Sequence, residues 1–302
     1  MHFAFPDEQD REMTLEYDAL SCNRDTSFQK AMLYVGEGGS GKSIKLKILQ
    51  AILGTENYSN VGLFDLGKRF MAGLLLGKLA NICADLPLKA LSDEASEALK
   101  LIVGEDTIFY ESKGQNGFFF VPYCKMTFSM NMLPQVLDER NNAVFRRLLI
   151  IRMDNLPKHP DVTLFSKLEK ELPYYIKLMM EALHRLYERG YILESENSKN
   201  EVRQLKKDSD ITESWLCDCC ETGADLKMER TDAFNSFQKY CESEERTPLT
   251  KNGFFKALRS KKFIESKSGA SRYFIGFSEK KCPNNDEFLS ISDEELAAIP
   301  FT

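Results

Sequence analysis

Residues Gly36 to Ser43 read Gly-Glu-Gly-Gly-Ser-Gly-Lys-Ser, an unbroken G-x-x-x-x-G-K-[ST] pattern. The apolar run Met32-Leu33-Tyr34-Val35 precedes it. Apolar residues at helical spacing follow: Ile44, Leu46, Ile48, Leu49, Ile52 and Leu53. Strand, glycine loop and helix in that order form the context in which this pattern cradles phosphate. The glycines let the backbone curl until its N–H groups point inward, and the helix N-terminus adds its positive dipole end. Gly36, Glu37, Gly38, Gly39, Ser40 and Gly41 are the predicted cradle. Lys42 is predicted to reach the outer phosphates of ATP, and the Ser43 hydroxyl to bind Mg²⁺. The competing reading is an ordinary glycine-rich turn before a helix.

The rest of residues 31–155 alternates in the manner of a parallel α/β sheet. Strands are predicted at Ala31–Val35, Leu79–Leu86, Lys125–Met130 and Leu148–Met153, each a near-continuous apolar run. A further strand at Val61–Phe64 and a helix over Asp65–Leu76 are expected between the first two. Ser92 begins a helix that continues to Val103. Thr107–Glu111 and Phe118–Val121 flank an Asn-Gly pair and predict a hairpin. Residues 1–30 form a polar lead-in with one short helix. Residues 156–210 are a helical extension and linker, with Glu194–Ser209 read as linker or exposed helix. A second domain over 211–278 is predicted from helices at Ile211–Cys220, Arg230–Ser243 and Thr250–Ser260 followed by two short β runs. That is the order of a winged helix-turn-helix. Residues 279–302 are an acidic tail.

Nucleotide hydrolysis needs an acid for the metal or the attacking water, a polar group near the terminal phosphate and a cation for transition-state charge. Candidates occur in order. Asp85 ends a buried strand, where ligands bind in open α/β sheets. Asn131 holds the equivalent place on the next strand. Arg146 and Arg147 precede the last. Taken singly, Asp85 is also a turn residue before Pro87, Asn131 a common turn former, and the arginines a surface pair.

A formal net charge of −6 argues against a protein coated in nucleic acid. The average hides an asymmetry: Lys251 to Lys281 holds nine Lys or Arg against two acids. Lys251, Lys256, Arg259, Lys267 and Arg272 are therefore candidate DNA contacts, a solvated face being the alternative. Of eight cysteines, Cys217, Cys219 and Cys220 form C-x-C-C, which lacks the paired spacing of a zinc site. The N-terminus has no secretory signal and no stretch has the apolar length of a membrane span, so a cytoplasmic protein of a bacterial host is expected.

Four segments carry a family resemblance: Gly36–Ser43; Gly77-Lys78-Leu79-Ala80-Asn81-Ile82-Cys83-Ala84-Asp85; Leu101–Asp106 with Lys113; and Met126–Pro134 with Arg146-Arg147-Leu148. Together they resemble superfamily 3 helicases, an AAA+-related group, and within it the phage and plasmid primase–helicase family that includes the poxvirus primase–helicase. The resemblance covers roughly residues 25–277 and implies a P-loop ATPase core with a C-terminal winged helix. It also implies a ring, usually a hexamer, acting on single-stranded or forked DNA. In such a ring Arg147, with Arg146 as its alternative, projects into the neighbour's nucleotide site, and Lys113 at the hairpin tip contacts DNA. Two features depart from the family. Ala84 stands where a second acid is usual, leaving Asp85 alone or with Asp93 or Glu94. The chain also begins close to the ATPase, where members usually carry a primase and a helical domain upstream: the readings are a reduced protein, a fragment, or a half that works with a separate primase or polymerase. The rival readings are a P-loop small-molecule kinase and an ATP-switched DNA-binding regulator or loader without unwinding activity.

Overall fold

The computed structural model describes residues 1–110, 116–134, 136, 142–244, 246, 248–269 and 271–280. They fall into two compact units, Met1–Ser209 and a second beginning at Asp210.

The first unit is built on a five-stranded parallel sheet. Its strands are β1 (Ala31–Val35), β2 (Tyr58–Ser59), β3 (Ala80–Leu86), β6 (Lys125–Met130) and β7 (Leu148–Arg152), in the order β2-β3-β6-β1-β7. Val35 lies opposite Met130 on one side and Arg152 on the other, so the carboxyl ends of β6, β1 and β7 form one level edge. Both faces are covered. Met32 and Tyr34 pack with Met13 and Tyr17 of α1 (Glu8–Leu20) and Leu46 and Leu49 of α2 (Lys42–Leu53). Leu33 and Val35 point the other way, into a cluster with Leu99 and Ile102 of α3 (Asp93–Val103). Double-sided burial is why β1 reads as continuous apolar sequence. A short antiparallel hairpin of β4 (Ile108–Tyr110) and β5 (Phe118–Phe120) stands apart from the sheet. After α4 (Asn142–Phe145) and β7 come α5 (Leu164–Glu169), α6 (Leu172–Arg189) and α7 (Glu196–Ser209).

Three expectations change. The lead-in helix is 13 residues long and most of it is buried. Its Met13, Tyr17 and Leu20 form one stripe in the core, and the Tyr17 hydroxyl donates to the Met126 carbonyl at 2.7 Å. Residues 61–76 hold neither the expected strand nor the expected α-helix. The strand is Tyr58–Ser59, and Leu63–Asp65 and Met71–Leu75 are short 3₁₀ turns. Glycine breaks the helix there, and the segment lies flat on its neighbours: a Cβ on Gly73 would stand 2.2 Å from the Tyr110 ring. Of the two readings of Glu194–Ser209, linker or exposed helix, the helix holds, but it is docked rather than exposed. It is α7, laid along the outer strand β7, with Leu205 in the core and the Ser198 hydroxyl accepting the Ile150 N–H at 2.9 Å. A sheet edge left with unpaired N–H groups invites foreign strands, and α7 closes this one.

The second unit comprises α8 (Ile211–Cys219), β8 (Cys220–Glu229), α9 (Arg230–Ser243), α10 (Lys251–Ser260), β9 (Ile264–Ser268) and β10 (Ser271–Glu279). The strands form an antiparallel sheet in the order β8-β10-β9. The first of them is not legible in the sequence, because only Cys220 and Met228 along it are buried. Aromatic packing holds the unit. Trp215 meets Phe237, Phe254 and Phe277 edge-on at 6.1, 5.3 and 5.6 Å, and its Nε1–H donates to Ser236 Oγ at 3.2 Å. Aromatic groups bury the most area per residue, which suits so small a core. Cys217 is exposed while Cys220 and Cys241 are buried. Among the described residues no group of three or more His, Cys, Asp or Glu side chains is placed to hold a metal. Among them, too, no helix is long and apolar enough to cross a membrane.

Candidate functional site

The loop from Gly36 to Gly41 springs from the carboxyl end of β1. Gly36 cannot be replaced without moving β7: a Cβ there would lie 2.2 Å from the Met153 carbonyl oxygen. Gly41 takes φ +97° as the N-cap of α2, and no side chain caps that helix. Its first N–H groups are therefore available to an anion, at the end where the helix dipole is positive. Glu37, Gly38, Gly39 and Ser43 are exposed, whereas Ser40 is buried. The Ser40 hydroxyl has no hydrogen-bond partner among the described residues. A buried polar atom without a partner is costly, and marks a place a ligand or water can satisfy.

Lys42 folds over this loop. Its ammonium donates to the carbonyls of Gly36 and Glu37 and, at 3.2 Å, to Asn131 Oδ1. Asn131 follows β6 at the same sheet edge. Burial pushes the Lys42 pKa down, and the negative charge of Asp85 opposes that shift. Asp85 itself sits in a β-bulge. Cys83 pairs with Phe128 and Leu86 with Met130, so Ala84 and Asp85 together face the one residue Ser129. Its backbone takes φ +53°, unusual for a non-glycine residue, and its N–H donates to Ser129 Oγ at 3.3 Å. The bulge leaves Asp85 exposed in a strand whose first three residues are buried. Ser129 is the supporting residue that motif reading misses. Its only sequence signal is a hydroxyl inside an apolar strand. Asp93 and Glu94 stand in the first turn of α3, where hydrogen bonding to its own backbone N–H, and then to Ser92, lowers the Glu94 pKa.

The arginine pair lies at the other end of β1. The Ala31 N–H donates to the Arg147 carbonyl at 2.7 Å, before β7 begins. Five strand residues separate this edge from the glycine loop, roughly 16 Å at 3.3 Å per residue. Arg147 is buried: its Nη1 donates to the Ala143 carbonyl at 2.8 Å, and its guanidinium crowds Gly104 beside the Asp106 carboxylate. Burial, and then the neighbouring Arg146, push the Arg147 pKa down while Asp106 opposes them. Arg146 is the exposed member.

At the hairpin, Phe118 and Phe119 are exposed and Phe120 packs against the core. Phe119 and Tyr110 are held by ring contacts, Phe109–Phe119 at 5.0 Å and Tyr110–Phe118 at 4.8 Å. Lys113 lies outside the described residues. In the second unit Lys251 and Lys256 are exposed on α10. Arg259 is less free, because its guanidinium donates to Glu265 at 2.9 and 3.0 Å. Lys267 and Arg272 lie directly opposite each other across β9 and β10. Like charges so placed repel, which an anion between them relieves.

A family model described only as a family of unknown function (DUF5906) matches residues 34–147. That span runs from the end of β1 to the arginine pair. Among solved structures, the A-form apo structure of the NrS-1 C-terminal region matches with a TM-score of 0.55 and 14% identity, over 91% of this chain and 73% of that one. The apo structure of NrS-1 C-terminal region 305–718 gives 0.56 and 13% over the same shares. The chain is similar to both in fold.

Proposed function

We propose that this chain is an ATP-dependent replication ATPase of the DNA helicase type, working as a ring on single-stranded or forked DNA. The observation that carries this reading is the meeting of Lys42 with Asn131, and of the Asp85 charge with Lys42, at the edge where the glycine loop opens. Binding requires inward N–H groups and a cation, which Gly36–Gly41 and Lys42 supply. Mg²⁺ would be held by Ser43 and Asp85 and would neutralise charge gathering on the phosphate oxygens. Asn131 orients the terminal phosphate, and Asp85 is placed to polarise the attacking water.

The cation still missing is provided in trans. Neither arginine reaches the loop of its own chain, and Arg146 is the one exposed to a neighbour. The assignment therefore moves from Arg147 to Arg146. That division needs a second chain beside the first, and a ring, usually a hexamer, is the habit of the group this sequence resembles. Exposed Phe118 and Phe119 offer faces for base stacking, and Lys251, Lys256, Lys267 and Arg272 offer contacts to backbone phosphate. The second unit is read as a winged helix, with α10 for recognition and the β9–β10 turn as wing.

The test is ATP turnover and strand displacement on a forked duplex, with and without Lys42→Ala. Turnover and displacement in the wild type, both abolished in the variant, are expected. Normal turnover by Lys42→Ala refutes the site. Turnover without displacement favours an ATP-switched loader.

A further inference from the structure

We propose that Asp65 is the second acid of the nucleotide site: it takes the proton that the attacking water loses, which leaves Asp85 to hold Mg²⁺ and polarise that water. This rests on Gly36–Ser43 being the triphosphate cradle. Ala84 occupies the place beside Asp85 where a second acid is usual, so the group has to come from another part of the fold.

The path of the chain brings Asp65 to that edge. β2 runs parallel to β3, with Ser59 opposite Asn81. Asn81 is fully buried, and its amide is committed to the neighbouring chain. Its Oδ1 accepts the Ser59 hydroxyl at 2.9 Å and the Val61 N–H at 2.7 Å, and its Nδ2 donates to the Val61 carbonyl at 2.9 Å. Two chains running the same way and locked at Val61 and Asn81 advance by the same number of residues to Asp65 and Asp85. Both carboxylates therefore arrive at the carboxyl end of the sheet, where ligands bind in this architecture. Leu63 and Leu66, which flank Asp65, pack in one core cluster with Leu86, the residue after Asp85. Gly62 shows how close the two segments come: a Cβ there would stand 2.9 Å from Asp65 Oδ2 and 3.7 Å from Leu86 Cδ2. The half-buried Cys83 thiol feels both acids, since burial, then Asp65, then Asp85 push its pKa up. The Asp85 charge in turn reaches Lys42.

Asp65 is also open to proton exchange. Its side chain is 43% accessible, and its Oδ1 lies 2.6 Å from Lys68 Nζ, itself 68% accessible. An exposed ion pair of this kind binds weakly, so Lys68 leaves the carboxylate able to turn to a water. As the water oxygen bonds the terminal phosphorus, the bond from that phosphorus to the bridging oxygen breaks, and the bridging oxygen keeps the electron pair on ADP. One water proton passes to the Asp65 carboxylate and from there to solvent; the other stays on the phosphate. The products are ADP, inorganic phosphate and a released proton.

The experiment measures kcat for ATP, affinity for a non-hydrolysable ATP analogue with Mg²⁺ by calorimetry, and melting temperature, all on the full chain. Asp65→Asn should lower kcat about a hundredfold or more and leave affinity and melting temperature near wild type. Asp65→Ala should lose as much and regain part of it in added formate, a small carboxylate that can enter at an exposed position. Lys68→Met should turn over like wild type, because the carboxylate remains. Wild-type kcat in Asp65→Asn overturns the assignment. So does a loss in Lys68→Met equal to that in Asp65→Asn, or an Asp65→Ala that formate does not revive, since either makes the contribution structural. Lys42→Ala separates the two readings: if it binds and hydrolyses ATP normally, the cradle is what fails, whereas loss in Lys42→Ala with full activity in Asp65→Asn sinks the second acid alone.

Discussion

Arg146 and Arg147 are adjacent in sequence and opposite in circumstance. One guanidinium is in solvent; the other is packed against Gly104 with its Nε lacking a hydrogen-bond partner among the described residues. Their environments separate what substitution should do. Arg146→Ala should leave thermal stability close to wild type and nucleotide binding intact, while lowering turnover by about 10³-fold or more, the usual contribution of an arginine supplied to phosphoryl transfer from outside the site. Mixing Arg146→Ala with Lys42→Ala protein should restore part of the turnover, since an intact loop can then meet an intact arginine. Arg147→Ala should instead lower the melting temperature. Turnover undiminished in Arg146→Ala would return the role to another residue. Nothing in the sequence distinguishes the two arginines, because the choice is made by Gly104 and Ala143, which reach them only through folding.

At the scale of elements, α2 is held from behind. Lys45 stands one turn after Lys42, and its ammonium is buried against Asp18 of α1, with Tyr175 of α6 on the same carboxylate. Two helices distant in sequence thus fix the helix that follows the glycine loop. Removing one member of a buried pair leaves the other charge uncompensated, at a cost of about 3–5 kcal/mol. Asp18→Ala should therefore lower the unfolding free energy of the first unit by that amount, and the double variant Asp18→Leu with Lys45→Met should recover most of it. A urea titration of the full chain, followed through the first transition, checks both. Strands β1, β3, β6 and β7 are legible in the sequence because burial on both faces writes them as apolar runs. The burial of α1 and the docking of α7 are not. Charged residues dominate both helices, and only the partner surface decides that Asp18 and Glu16 go inside. Glu16 is fully buried against Arg189, and burial outweighs that cation to raise its pKa. Segment 61–76 fails for a different reason: its apolar spacing suits a helix, and its glycines are used for close approach instead.

For the whole molecule, the convergence of Lys42, Asp85 and Asn131 is foreshadowed by their positions after three successive apolar runs, since parallel strands in register deliver their ends to one edge. The bulge at Asp85 and its support by Ser129 have no such signature, because each depends on how neighbouring elements crowd. The arginine pair and the glycine loop sit at opposite ends of the same five-residue strand. Under the proposed division of labour, an isolated copy is half an enzyme, however well folded. Specific activity should fall on dilution, at concentrations where circular dichroism and melting temperature stay constant, and climb again as chains are added. A turnover per chain that is flat from nanomolar to micromolar protein would mean that each copy finishes its own chemistry.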